Sequence, residues 1–222
     1  AHSVSLSADM YRRFGAFQCN LLLEGFYTRL NHVFVLEEIG KDEEHNAVIK
    51  ERRNGQGAEV AGVTVEGKVA YLSLVQLQAG VTWQKSHYTR PEKWSKDSSV
   101  PAEKRIFRTP DWYGYFTATY SPVKPLNIAL SGTYTGSMIV QHMKGYIPKD
   151  MAVTTPDFFD MNLKISYDFS LYKFITLQLN AGVQNIFNAY QRDFDQGKER
   201  DSGYIYGPSM PRSYFAGAKL MF

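Results

Sequence analysis

The residues able to do chemistry in this sequence sit between its regular segments, and none falls into a recognisable reactive constellation. The stretch EEIGKDEEHNAVIKERR gathers Glu37, Glu38, Asp42, Glu43, Glu44 and His45. Carboxylates on a flexible segment suit a hard cation such as calcium. The spacing is not that of an EF-hand, and a solvated loop of mixed charge accounts for the run without an ion. His2, His32, His45, His87 and His142 are scattered, with no H-x-E or H-E-x-x-H pair among them. His87 or His142 could still capture haem or a metal singly. Tyr88, Trp94, Tyr204 and Tyr206 offer rings for stacking or hydrogen bonding to a ligand, or for packing one loop against another. Arg192, Arg200 and Arg212 could clamp an anion through bidentate hydrogen bonds, or pair with Asp193, Asp195 and Asp201. No G-x-S-x-G and no glycine-rich phosphate loop occurs, so no enzyme is indicated and no cofactor is expected.

The bulk numbers narrow the partners further. Lys and Arg total 25 against 22 Asp and Glu, and this net charge of +3 gives no polyanion-binding signal; no nucleic acid is expected. The single cysteine, Cys19, excludes an internal disulfide framework and a multi-cysteine metal site. No run nears the roughly 18–20 apolar residues that a membrane helix needs. The opening AHSVSLSADM lacks both an initiator Met and a signal peptide and begins inside a strand pattern. It suggests a processed chain or a piece of a longer one.

Period-two alternation must position everything else. In FDMNLKISYDF, Phe159, Met161, Leu163, Ile165, Tyr167 and Phe169 oppose Asp160, Asn162, Lys164, Ser166 and Asp168. Val4, Leu6, Ala8 and Met10 oppose a serine-rich set, and Val75, Leu77, Ala79, Val81 and Trp83 oppose glutamines and Thr82. Cys19 falls in the apolar set as a small residue. The alternation predicts about nine strands, at roughly 2–11, 17–36, 57–67, 69–88, 111–121, 125–141, 157–169, 173–187 and 210–222. Faces in the third of these cannot be assigned from the pattern. Several strands reach the roughly 9–11 residues that a tilted membrane strand requires.

The connections alternate too. Short turns fall near RRFGA, EGKV, SPVKP and SLYK, and long loops at about 37–56, 89–110, 142–156 and 188–209. Short turns at one end and long loops at the other fit an outer-membrane barrel. A soluble β-sandwich or lipocalin-like barrel also alternates. Two features favour the membrane: a polar face rich in Ser, Thr, Asn and Gln, and aromatics near strand ends on the apolar face. The aromatics are Tyr27, Trp83, Trp112, Tyr120, Tyr134, Tyr167 and Tyr214. An open nine-strand sheet would leave two edges in lipid, so a part of a larger barrel is expected.

The segment AGVQNIFNAYQRDFDQGKERDSGYIYGPSMPRSYFAGAKLMF, residues 181–222, resembles the C-terminal end of a TonB-dependent outer-membrane receptor, in a style similar to receptors of Bacteroidota. LLLEGFYTRLNHVFVLEE and NGQGAEVAGVTVEG resemble mid-barrel strands of that family. The resemblance covers essentially all of residues 1–222 and implies the C-terminal portion of a 22-strand antiparallel transmembrane β-barrel, with the plug domain and earlier strands elsewhere. It implies import of a scarce nutrient such as siderophore-iron, haem or cobalamin, driven by the TonB–ExbB–ExbD complex through the plug. Outer-membrane lipid and a surface lipoprotein are the further partners it suggests. By residue type and loop position, Tyr88, Trp94, His142, Arg192, Tyr204 and Tyr206 are the expected ligand-binding residues. The terminal strand resembles a barrel-assembly signal read at Tyr214, Leu220 and Phe222. A porin, adhesin or structural barrel, or an outer-membrane enzyme, is the alternative.

Overall fold

A computed structural model describes residues 1–42, 44–45 and 47–222, with side chains for all of these except 35–38, 41, 47–48 and 50. Every regular element in it is a strand. In chain order these are β1 (His2–Phe14), β2 (Phe17–Leu30), β3 (Phe34–Asp42), β4 (Ala47–Asn54), β5 (Ala58–Tyr71), β6 (Val75–Glu92) and β7 (Glu103–Arg105). There follow β8 (Trp112–Val123), β9 (Leu126–Thr135), β10 (Ile139–His142), β11 (Met151–Thr154), β12 (Phe158–Tyr172), β13 (Ile175–Gln184) and β14 (Ser213–Met221).

Nine long strands form one antiparallel meander in the order β1-β2-β5-β6-β8-β9-β12-β13-β14, with β7 paired to β6. The nine match the expected nine, with shifted ends. The EGKV turn expected at 66–69 is strand, and β5 runs on to Tyr71 because Val65 to Tyr71 keep the alternation in register with β2 and β6. The second and sixth expected strands are cut short. Residues 34–54 instead form the separate hairpin β3–β4, and residues 139–154 the separate hairpin β10–β11. Alternation specifies a strand but not which sheet it joins.

The register carries the pattern across the whole sheet. One row runs Met10, Leu21, Gly67, Ala79, Phe116, Gly132, Met161, and the next Cys19, Val69, Leu77, Ala118, Leu130, Leu163, Val183, Tyr214. Both belong to a single apolar face, which settles β5: Val63, Val65, Val69 and Tyr71 lie on it. The opposite face carries rows such as Asn20, Lys68, Gln78, Thr117, Ser131, Asn162. Apolar side chains stay uncovered over the first face: Leu6 is 81% exposed, Leu220 53% and Val81 44%. An apolar face of this extent is not left in water by a soluble monomer.

Aromatics border that face on two levels. Tyr27, Trp83, Trp112, Tyr134 and Phe159 lie toward the long loops, with Trp83 and Trp112 6.4 Å apart between ring centres. Phe17, Tyr71, Tyr120, Tyr167 and Phe169 lie toward the short turns; Phe17 and Tyr71 are 4.6 Å apart, as are Tyr167 and Phe169. The turns 15–16, 72–74, 124–125 and 173–174 all lie at one end of the sheet, and the long connections at the other. At the first turn Gly15 has a φ of 59°, a left-handed conformation that costs glycine little. The outer strands β1 and β14 each pair on one side alone. Among the described residues no helix is long and apolar enough to cross a membrane, a criterion that does not address strands.

Candidate functional site at the long-loop end

The one compact apolar cluster of buried residues among those described lies at the long-loop end, with Phe158, the first residue of β12, its one buried member in the main sheet. Val140, Phe158, Tyr204 and Tyr206 form it, with Met138, Val153 and Ala189 against them. The last connection, 185–212, folds over the β10–β11 hairpin, and its path is set by side-chain hydrogen bonds. Asn185, in a left-handed backbone (φ 51°), is 3% exposed. Its amide nitrogen donates to the carbonyls of Ala189 and Met210 at 2.9 and 2.8 Å, and its oxygen accepts from Ala189 N at 2.8 Å. Asn188, also left-handed, accepts from Arg212 N at 2.9 Å. Asparagine tolerates that conformation better than any other residue with a side chain. Gln191 then bridges its own loop, donating to Tyr204 O at 3.1 Å and accepting from Tyr206 N at 2.8 Å.

Two carboxylates complete the cluster. The hydroxyls of Tyr204 and Tyr206 donate to the two oxygens of Asp193, at 2.7 and 2.6 Å. Burial raises the Asp193 carboxyl, but the hydrogen bonds from Tyr206 and Tyr204 outweigh it and hold the group below the usual carboxylate range. Burial and the bond to Asp193 push Tyr206 up to about 12 and raise Tyr204 as well. The His142 ring stacks on Tyr204 at 3.7 Å with 5° between planes. Its Nε2 lies 2.9 and 3.0 Å from the oxygens of Asp195, whose side chain is 2% exposed. Asp195 also accepts from Asp201 N at 2.9 Å, and Asp201 from Met143 N at 2.8 Å. Arg108, itself left-handed, donates to Ile205 O at 2.8 Å and to Gly203 O. Gly207 (φ 78°) faces the Phe158 ring, where an added Cβ would come within 2.6 Å of a ring carbon.

The loops are thereby tied to one another. Ser95 donates to Asp150 at 2.6 Å, joining connection 93–111 to connection 136–157. Gln56 N donates to Glu92 at 3.2 Å, joining the segment after β4 to β6.

Of the six candidate ligand residues, His142, Tyr204 and Tyr206 come together in this cluster with their polar atoms engaged. Trp94 stands apart: it packs edge-on against Phe107 at 5.2 Å and donates to Pro101 O at 3.2 Å. Tyr88 pairs with Ala58 across β5 and β6, and exposed Arg192 lies over the Tyr190 ring at 5.7 Å. The expected pairing of Arg192, Arg200 and Arg212 with the nearby aspartates is not what forms. Asp193, Asp195 and Asp201 bond instead to tyrosines, His142 and backbone amides, because the loop folds them inward while the arginines stay at its surface. In the acidic stretch, Glu43 and the side chains of Glu37 and Glu38 lie outside the described residues. Asp42 accepts from the His45 ring at 2.8 Å and from Glu44 N at 3.1 Å, bonds that hold its carboxyl low, that from the His45 ring first. Among the described residues no group of three or more His, Cys, Asp and Glu could hold a metal ion. Tyr214, Leu220 and Phe222 lie on or beside edge strand β14 and are 72%, 53% and 94% exposed.

Sequence reasoning missed Asn185, Gln191 and Arg108 as the residues that shape the loops. The paired asparagines directly after a strand were the available signal for the first. Gln191 and Arg108 carry no local signal, since their partners lie 13 to 97 residues away.

A family model described as TonB dependent receptor-like, beta-barrel matches residues 1–186. No curated protein matches the sequence. Among solved structures, the chain is similar to the ferric-catecholate import receptor Fiu of E. coli K12, with 16% identity and a TM-score of 0.61 over 99% of this chain and 27% of that one. It is similar to the siderophore receptor PiuA of Acinetobacter baumannii, with 15% identity, a TM-score of 0.63 and coverage of 99% and 28%. A third is FpvA of P. aeruginosa, solved with a heterologous pyoverdine and iron, with 14% identity, a TM-score of 0.60 and coverage of 99% and 27%. At these identities the likeness is one of fold, and the chain spans little more than a quarter of each neighbour.

Proposed function

The chain belongs to the TonB-dependent receptor-like β-barrel family, and from that premise we propose that it supplies the last nine strands of an outer-membrane active importer. Barrels of this family are outer-membrane proteins of Gram-negative bacteria. In this reading the apolar face meets lipid, the polar face lines the lumen, and the long loops form part of an outward ligand cup. The observation that carries it is the register: nine strands place apolar residues on one face, bordered by two aromatic levels, and polar residues on the other. A bilayer accepts such a sheet only when its edges are paired. β1 and β14 therefore close against strands supplied by the rest of a 22-strand barrel. Import energy comes from TonB–ExbB–ExbD through a plug domain, and the cargo is a siderophore-iron complex, haem, cobalamin or a similar scarce nutrient. In this reading exposed Arg192 faces that ligand, half-buried Tyr88 on β6 and Trp94 in its loop flank it, and His142, Tyr204 and Tyr206 shape the cup.

The test is fractionation of the full-length receptor with the outer membrane and heat-modifiable migration on gels. A freely soluble monomer rejects the reading. Titration of the full-length receptor with ferric siderophores, haem and cobalamin, followed by Trp94 fluorescence, tests the cargo; quenching by one is expected, and no response to any overturns the nutrient assignment.

A further inference from the structure

Just past the aromatics at the long-loop end, one register level of the sheet is rich in cations. It runs His2, Arg29, Glu59, His87, Arg105 across β1, β2, β5, β6 and β7, each residue the backbone partner of the next. Partners in an antiparallel ladder share a face. These five have the parity of Val4, Tyr27, Val63 and Trp83, so they project on the apolar side of the sheet, away from the polar face. Four basic side chains there share one carboxylate. Arg29 Nε and His87 Nε2 each stand 3.6 Å from a different oxygen of Glu59. Loose pairs at a surface hold a cation weakly. Among the described residues the side chains of His2 and Arg105 have no hydrogen-bond or ion-pair partner. Glu103, the one carboxylate of β7, accepts from the amides of Lys104 and Arg105, both at 2.9 Å. On the next level inward Lys85 is neutralised by Asp111.

Arg29 lies two residues beyond Tyr27, and His87 four beyond Trp83. At ~3.3 Å per residue and a tilt of about 40°, these are roughly 5 and 10 Å outside the aromatic level. A bilayer headgroup layer is about 5–8 Å thick. The row therefore begins within that layer, and flexible arginine stems reach back into it. We propose that it docks the phosphate-bearing headgroups of anionic lipid in the leaflet at the long-loop end. Arg29 and Arg105 lie three strand spacings apart, about 14 Å, so each takes its own phosphate through the planar guanidinium fork, with His87 between them. The excess of cations selects an anion. The outward face, continuous with the lipid-facing side chains, selects a lipid over cargo, which would pass on the other side of the wall. This rests on the membrane reading above and adds a partner to it.

The probes are dioleoyl phosphatidic acid and dioleoyl phosphatidylcholine, titrated into the full-length receptor in detergent and counted as adducts by native mass spectrometry. Phosphatidic acid binds more tightly. Arg29→Gln and Arg105→Gln each weaken it about fivefold, the contribution of one cation near an anionic lipid surface, and leave phosphatidylcholine unchanged. Glu59→Gln, which frees the shared cations, tightens phosphatidic acid by a similar factor, a gain that misfolding cannot produce. Lys68→Gln, on the polar face, changes neither lipid. Equal binding of the two lipids, no loss in the Arg29→Gln/Arg105→Gln double variant, no gain in Glu59→Gln, or an equal loss in Lys68→Gln overturns the proposal. Inorganic phosphate at the same concentration leaves the adducts in place; displacement by it assigns the row to a free anion and overturns the lipid. Failure of the membrane reading is seen separately, in the fractionation and gel migration of the unsubstituted receptor.

Discussion

Ala79→Arg in the full-length receptor tests the assignment of the apolar face to lipid. Ala79 sits midway along β6, four residues from the Val75–Tyr120 row and four from the Trp83–Trp112 row, with Gly67 and Phe116 as cross-strand neighbours. At ~3.3 Å per residue and a barrel tilt of about 40°, each aromatic level lies roughly 10 Å away along the membrane normal. That places Ala79 near the midplane, where an arginine on the lipid face costs about 2–4 kcal/mol. The folded-to-unfolded ratio falls roughly thirty- to seven-hundred-fold relative to the parent. Alanine contributes little packing, so the effect is that of the charge. Gln76→Arg, on the opposite face, is the control and stays within about 0.5 kcal/mol. Trp83→Arg lies at the interface; its depth cost is about 0–1 kcal/mol, plus about 0.5–1.5 for the lost ring pair with Trp112. Urea unfolding in phospholipid vesicles, read by heat-modifiable migration, measures all three. Equal costs at Ala79 and Gln76, or a larger cost at Gln76, refute the assignment of faces.

Three further outcomes follow from the loops and the terminus. Arg108→Ala removes two charge-assisted bonds to the 203–205 segment and loosens it by about 1.5–3 kcal/mol, seen as faster protease cleavage there. Arg108→Gly relieves the left-handed backbone and costs about 1 kcal/mol less; the opposite order counts against strain at that site. Asp193, held low, stabilises the cluster above the usual aspartate range near 3.9 and loses that contribution as pH falls further. Tyr206, raised to about 12, contributes below its ordinary value near 10 and loses it as pH rises through 10 to 12. Asp193→Asn brings the tyrosine ionisation back toward 10 in a near-ultraviolet titration, and an unchanged titration rejects the pairing. Deleting Phe222 lowers the heat-modifiable, outer-membrane fraction several-fold without lowering synthesis, and full assembly of the deletion denies it a role as an assembly handle.

The sequence by itself determined the sheet. Period-two alternation over Phe159–Phe169 or Val75–Trp83 divides residues between faces without any distant contact, because the pleat turns each successive Cβ to the other side. The count of nine long strands and the alternation of short and long connections were legible for the same reason. Which strands leave the sheet was not: apolar residues continue through Leu30–Leu36 and Thr135–Gln141, and only pairing partners decide that β2 ends while β3 and β10 begin separate hairpins. The loop cluster was beyond reach in a different way. His142, Tyr204 and Tyr206 could be named as aromatic loop residues. Their joining to Asp193, Asp195, Gln191 and Arg108 depends on bonds between residues far apart in the chain, which composition and spacing do not encode. Asp160 shows the limit most plainly. Sequence alone puts it on the polar face with Asn162 and Lys164, but the burial of its Oδ1 atom without a hydrogen-bond partner among the described residues is set by tertiary packing.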